Sequence, residues 1–106
     1  MFEFIETPFF TKALSRYLEN DEYAKLQNFL DEQLDAGVIV SGSGGVRKLR
    51  WGSEGRGKRG GLRVIYYWAP GEQAFYMLYA YTKSEQSDLT AAQTRQLSRV
   101  VREEFK

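Results

Sequence analysis

Apolar residues recur along this chain in two rhythms, and each stretch predicts an element. Phe2 to Thr7 predicts a strand with Phe2 and Phe4 on one face. Thr7-Pro8 then reads as an N-cap residue followed by proline at the first helical position. Phe9, Phe10, Ala13, Leu14, Tyr17 and Leu18 follow at helical spacing as one apolar stripe. Tyr23, Leu26, Phe29, Leu30 and Leu34 make a second stripe, opened by Asn20 or Asp21 and closed by Gly37 as a C-cap. The short joint between them predicts an αα-hairpin lying on a sheet.

Beyond Gly37 the period changes. Val38 to Val40 is a short extended exit, and residues 42–45 are flexible by composition. Val46 to Trp51 predicts a strand with Arg47, Leu49 and Trp51 on one face and Val46, Lys48 and Arg50 on the other. Leu62 to Trp68 is the most β-prone run and offers apolar or aromatic groups to both faces except at Arg63, which predicts a central strand. Pro70-Gly71 predicts a type II turn into a partner strand from Phe75 to Thr82. Thr90-Ala-Ala-Gln93 is a capping box opening a last helix whose stripe is Leu97, Val100, Val101 and Phe105.

The order β-α-α-β-β-β-α predicts an α+β domain. Its last three strands form an antiparallel meander with the helices on one face. The other face is then left to Arg63, the basic strand and the end of the final strand.

Composition narrows the chemistry. At 106 residues a single domain spanning 1–106 is expected. The absence of Cys excludes disulfides and thiolate metal sites. The absence of His removes the usual acid–base group and the commonest metal ligand, so a general base must be Lys, Tyr, Asp or Glu. No apolar run is long enough to span a bilayer and no signal pattern opens the chain. A cytoplasmic protein without cofactor, metal or membrane attachment is expected. Seven Tyr, seven Phe and two Trp belong mostly to the core, with a few available for stacking on bases.

Charge alters this picture at one place. From Arg47 to Arg63 there are seven Lys/Arg against the single acid Glu54, which leaves eight basic and thirteen acidic residues elsewhere. A basic patch on an acidic scaffold suggests a surface for a polyanion. The alternative is a solvated hairpin whose charges keep a sheet edge soluble. Gly52 to Lys58 has the spacing of a phosphate-binding loop, but Arg59 stands where Ser or Thr is needed and a strand follows. Gly55 to Gly60 fits the dinucleotide fingerprint and fails for the same reason. The glycines do permit backbone mobility and close approach to a bulky ligand.

Arg63 begins the central strand, and Tyr81 and Lys83 end its antiparallel neighbour, so the three should meet in space. Arg56, Lys58 and Arg59 would hang over the same end. RNA cleavage without a metal needs a deprotonated 2′-hydroxyl, a stabilised phosphorane and a protonated leaving 5′-oxygen. Arginine suits the phosphate through its fork of donors. A lysine among arginines can have its pKa lowered into the range of proton transfer. For Arg63 and Lys83 the alternative is a strand-end salt bridge to Glu85 or Asp88.

Three segments together resemble one family: Gly44 to Lys48, Gly55 to Tyr67, and Tyr81 to Leu89. With the order of elements they look like the RelE/ParE toxin superfamily, most of all the HigB-like branch of RelE-type mRNA interferases. The resemblance implies a toxin of a type II toxin–antitoxin pair that binds the ribosomal A site and cuts translated mRNA. It implies an antitoxin with a helix-turn-helix domain. Matched residue by residue, the family's loop lysine is Lys58, with Arg56 and Arg59 beside it. Its phosphate-stabilising arginine is Arg63, and its basic residue after the last strand is Lys83. Tyr81 stands near where an aromatic group orients the nucleotide. On this reading Lys58 takes part in proton transfer, while Arg63 and Lys83 stabilise the phosphorane. Arg47, Lys48, Arg50, Arg56 and Arg59 hold the RNA backbone. The histidine and C-terminal tyrosine of some relatives have no counterpart, so base and acid stay unassigned. A ParE-like gyrase poison and a non-toxic RNA-binding module are the competing readings.

Overall fold

The structure, a computed structural model, describes residues 2–52 and 61–105. Five strands form one sheet: β1 (Glu3–Glu6), β2 (Val38–Ile39), β3 (Arg47–Trp51), β4 (Leu62–Ala69) and β5 (Ala74–Thr82). Their order across the sheet is β1-β5-β4-β3-β2, with β1 parallel to β5 and the remaining pairs antiparallel. The expected meander is therefore present, with β4 at its centre. The extended exit after Gly37 is itself a strand, the two-residue edge β2.

Helices α1 (Pro8–Tyr17) and α2 (Asn20–Glu32) cover one face. Thr7 caps α1, its hydroxyl accepting from the Phe10 N–H at 3.0 Å and donating to the Leu78 carbonyl at 2.7 Å. One threonine thus starts the helix and fastens it to β5. Phe10, Ala13, Leu26 and Leu30 pack onto Leu49, Val64, Tyr66, Phe75 and Met77. Phe2 and Phe4 both contact the Phe75 ring, as their alternation predicts.

The second face is covered too, which corrects the expectation that all helices share one side. Helix α3 (Ala91–Val100), opened by the Thr90–Gln93 capping box, runs into a π turn (Val101–Phe105). Val101 is fully buried against Val46, Ile65, Leu78 and Tyr81. The cause lies in β4 and β5, which present large apolar groups on both sides. A bare second face would leave them in water. A register shift reinforces this: Ile65 pairs with Tyr79 but Tyr66 pairs with Met77, so Leu78 is an extra residue in β5. Leu78 and Tyr79 consequently both join the second cluster.

Three local expectations are corrected. Helix α2 is capped by Glu19 without a side-chain hydrogen bond and stops at Glu32, so Leu34 and Gly37 lie beyond it. Gly37 instead passes close to β3: an added Cβ would meet the Lys48 carbonyl oxygen at 2.8 Å. Its N–H donates to the Tyr66 hydroxyl, which in turn donates to the Leu34 carbonyl. Pro70–Glu72 form a 3-10 turn rather than a type II turn, and the left-handed residue is Gln73 at φ 53°. No helix among the described residues is long and apolar enough to cross a membrane.

Candidate functional site

The register of the meander builds a row across the second face. Arg50 of β3 is opposite Arg63 of β4, and Arg63 is opposite Tyr81 of β5. Next to it runs the row Lys48, Ile65 and Tyr79. Two arginines as direct cross-strand neighbours repel, so this pairing is unfavourable unless an anion lies between or above them. Arg50 is exposed, whereas Arg63 is buried with 9% of its surface accessible. Arg63 donates to the Gly61 carbonyl at 3.1 Å and has no ion pair among the described residues. A buried guanidinium without a counter-ion costs stability, and such a cost is commonly borne where a site needs the charge.

Two nearby acids among the described residues, Asp88 and Glu85, are engaged elsewhere. Asp88 takes the Lys48 ammonium at 3.0 Å and the Leu89 N–H at 2.8 Å. Lys48 foremost, then that N–H, holds the Asp88 carboxyl below the ordinary range. Glu85 accepts from the Thr82 N–H at 2.9 Å and lies 3.6 Å from the Arg16 guanidinium. Hydrogen bonding from Tyr17 and from the Thr82 backbone lowers its pKa. The salt-bridge alternative for Arg63 and Lys83 is therefore not what these two acids do.

Tyr81 is 1% exposed, and its hydroxyl makes no regular hydrogen bond among the described residues. Burial, followed by the nearby Asp88 carboxylate, raises its pKa, and Arg63 opposes the rise. The phenol therefore stays protonated at neutral pH. It can donate a hydrogen bond and orient a ligand, but it is a poor base. Its ring lies 5.9 Å from that of Tyr79.

Lys83 is exposed in the turn that follows β5. Its N–H reaches the same Gly61 carbonyl that accepts from Arg63, a long contact of 3.4 Å that sets the turn beside the start of β4. Arg63, Tyr81, Lys48 and Arg50 thus share one face of the sheet, and Lys83 lies in the turn at its end, beside Gly61. Arg47 does not share that face. It belongs to the face covered by α1 and α2, and its guanidinium donates to the Gly37 and Asp35 carbonyls at 2.8 and 3.3 Å. Arg56, Lys58 and Arg59 lie outside the described residues. Asp88 as the partner of Lys48, forty positions away, has no local sequence signal. Among the described residues no His/Cys/Asp/Glu group could hold a metal ion.

Such a site offers the exposed cations Arg50 and Lys83 to an anion, with the Arg63 guanidinium and the neutral Tyr81 phenol buried beside them. The fold is shared with the E. coli toxin RelE, solved as a double mutant in the free state, with a TM-score of 0.59. That match is 13% identical in sequence and covers 90% of this chain and 95% of the other. The family model described as "RelE toxin of RelE / RelB toxin-antitoxin system" matches residues 9–105, nearly the whole sequence. With the family matched over that length, the chain belongs to the RelE toxins.

Proposed function

We propose that this toxin is a ribosome-dependent mRNA endonuclease that arrests translation. The observation that carries the reading is Arg63: a buried guanidinium with no ion pair among the described residues, facing Arg50 and Tyr81 across the sheet. A scissile phosphate would supply an anion for this guanidinium. In the proposed step the 2′-hydroxyl of the preceding nucleotide loses its proton and its oxygen bonds to phosphorus. The bond from phosphorus to the 5′-oxygen then breaks, and that oxygen takes up a proton. The products are a 2′,3′-cyclic phosphate and a 5′-hydroxyl.

Arg63 and Lys83 would stabilise the charge that develops on the phosphorane. Tyr81, held protonated, would orient the nucleotide by donation and by its ring. Lys58 would move the proton, and Lys48, Arg50, Arg56 and Arg59 would hold the RNA backbone. The combination of the Gly44–Lys48 and Gly55–Tyr67 motifs supports the HigB-like branch. The finer partners, an A-site ribosome carrying mRNA and an antitoxin with a helix-turn-helix domain, belong to the same proposal, as does a cytoplasmic location.

The test is to induce the protein in cells and map mRNA 5′ ends with and without blocked initiation. New ends within translated codons, lost when initiation is blocked and absent for Arg63→Ala, are expected. Growth arrest without new ends would overturn the nuclease reading and favour a gyrase poison. Ends that persist without translation would overturn the ribosome dependence.

A further inference from the structure

Thr82 is the last residue of β5, and Lys83 follows it into a turn. The Lys83 N–H reaches the Gly61 carbonyl on the β4 side. By the alternation of a strand the Thr82 N–H faces the other way, where β1 has already ended opposite Met77. Its partner is a side chain: the Glu85 carboxylate accepts from it at 2.9 Å. The Glu85 N–H donates back to the Thr82 carbonyl at 3.0 Å. Thr-x-x-Glu is the capping-box spacing, and Glu85 makes the reach-back bond of that motif. A capping box opens a helix, yet no helix begins here before Ala91. What the bond closes is a tight turn around two residues, Lys83 and Ser84.

Glu85 is also the acid nearest to Lys83 in the sequence, and an unengaged carboxylate there would neutralise the ammonium. Its charge is instead taken up at the end of α1. One carboxylate oxygen lies 3.6 Å from the Arg16 guanidinium, and the Tyr17 phenol hydrogen-bonds the same carboxylate. Lys83 has no ion pair among the described residues. The rest of the loop is held separately. The Gln86 amide donates to the Asp88 carbonyl at 2.7 Å and to the Gln93 side-chain oxygen at 2.9 Å, which ties it to the cap of α3. Asp88 is fastened to Lys48 of β3. Glu85 therefore governs the first turn rather than the loop as a whole.

We propose that Glu85 is a positioning residue: it closes the turn that carries Lys83 and, with its charge taken up by Arg16, leaves that ammonium free for the phosphate. The inference rests on the reading of Lys83 as a cation that stabilises the phosphorane. A displacement of about 1 Å at a reacting group can lower a rate by about 10²-fold, so the setting of this turn bears directly on turnover. The bond to the Thr82 N–H carries the effect, because an exposed ion pair such as Arg16–Glu85 adds little. Glutamine keeps an oxygen for that N–H, and alanine does not.

The experiment assays the full chain in single turnover on ribosomes stalled on an mRNA with an open A-site codon, and measures urea midpoints on the same samples. Glu85→Ala is expected to lower the rate at saturation roughly tenfold to a hundredfold. The half-saturating toxin concentration should change by less than about threefold, because the loss falls on the transition state rather than on binding. Glu85→Gln is expected to stay within about threefold of wild type. In a Lys83→Ala background, Glu85→Ala should have no further effect, as one group acting through another requires. An equal loss in both backgrounds would overturn the proposal and make the role of Glu85 structural. So would a Glu85→Ala chain that fails to fold or that cleaves at the wild-type rate, or Glu85→Gln as slow as Glu85→Ala. Lys83→Ala with wild-type cleavage would overturn the role of Lys83 and the positioning with it. Wild-type protein that cuts no ribosome-bound mRNA would overturn the nuclease reading itself, and with it the positioning.

Discussion

At the scale of single residues, the fold retains Arg63 at a cost. A buried charge with no ion pair among the described residues carries a desolvation cost that an apolar side chain of similar volume does not. Arg63→Met is therefore expected to leave the urea midpoint unchanged or raised, while cleavage falls by about 10²–10³-fold, the cost of removing one transition-state donor. Arg63→Met that lowers the midpoint sharply would show the guanidinium to be structural. Asp88 gives a prediction in pH. Its carboxyl is held below the ordinary value, chiefly by Lys48, so the native state binds fewer protons than the unfolded state in acid. That contribution is present above the ordinary carboxylate pKa of about 4 and is lost as pH falls through the lower native value. Urea midpoints at pH 7 and pH 3 should therefore lie closer together in Asp88→Asn than in wild type. A gap that stays the same would mean that Lys48 and Asp88 do not interact in solution. Of these two residues only Arg63 is legible in the sequence. Its neighbour Tyr81 follows from a hairpin register, whereas Asp88 meets Lys48 through tertiary packing.

At the scale of elements, the legible part is whatever a short-range rule controls. Thr7-Pro8 and Thr90–Gln93 start helices where local hydrogen bonding says they should. Helix α2 does not follow that logic: its N-cap Glu19 makes no side-chain hydrogen bond, and it stops at Glu32, short of Gly37. Gly37 illustrates the difference. As a supposed C-cap it would matter for its backbone freedom, but it matters because β3 passes against it. Gly37→Ala is expected to cost about 1–3 kcal/mol, the penalty of forcing atoms into a filled space. Denaturant titration measures this directly. A loss of a few tenths of a kcal/mol would mean that the β2–β3 pair relaxes away cheaply. Thr90→Ala should cost about 1 kcal/mol through the missing cap, with faster hydrogen exchange confined to α3. No local pattern tells which side of the sheet α3 takes, although the apolar faces of β4 and β5 require a second helical layer.

For the whole molecule, the nearly neutral net charge conceals a division into opposite fields. Seven of the fifteen cations lie between Arg47 and Arg63, and α2 is acidic. Binding to RNA should therefore depend on salt through a few neutralised phosphates rather than through net charge. For single strands the slope of log K against log salt changes by about 0.7 for each phosphate that a cation ceases to neutralise. Arg50 stands exposed in the row with Arg63, so Arg50→Ala should make the slope shallower by about that amount. Arg47 lies on the same strand but on the other face of the sheet, with its guanidinium spent on the Gly37 and Asp35 carbonyls. Arg47→Ala should lower stability and leave the slope unchanged. Filter binding of a short RNA from about 50 to 300 mM salt would separate the two, a range across which the screening length shortens from roughly 14 to 6 Å. Equal changes for both variants would mean that RNA wraps the edge of β3, and the single-face row would lose its claim to be the binding surface. If only Arg50 alters the slope, the alternation of side chains along one short strand decides which arginine serves the fold and which serves the ligand.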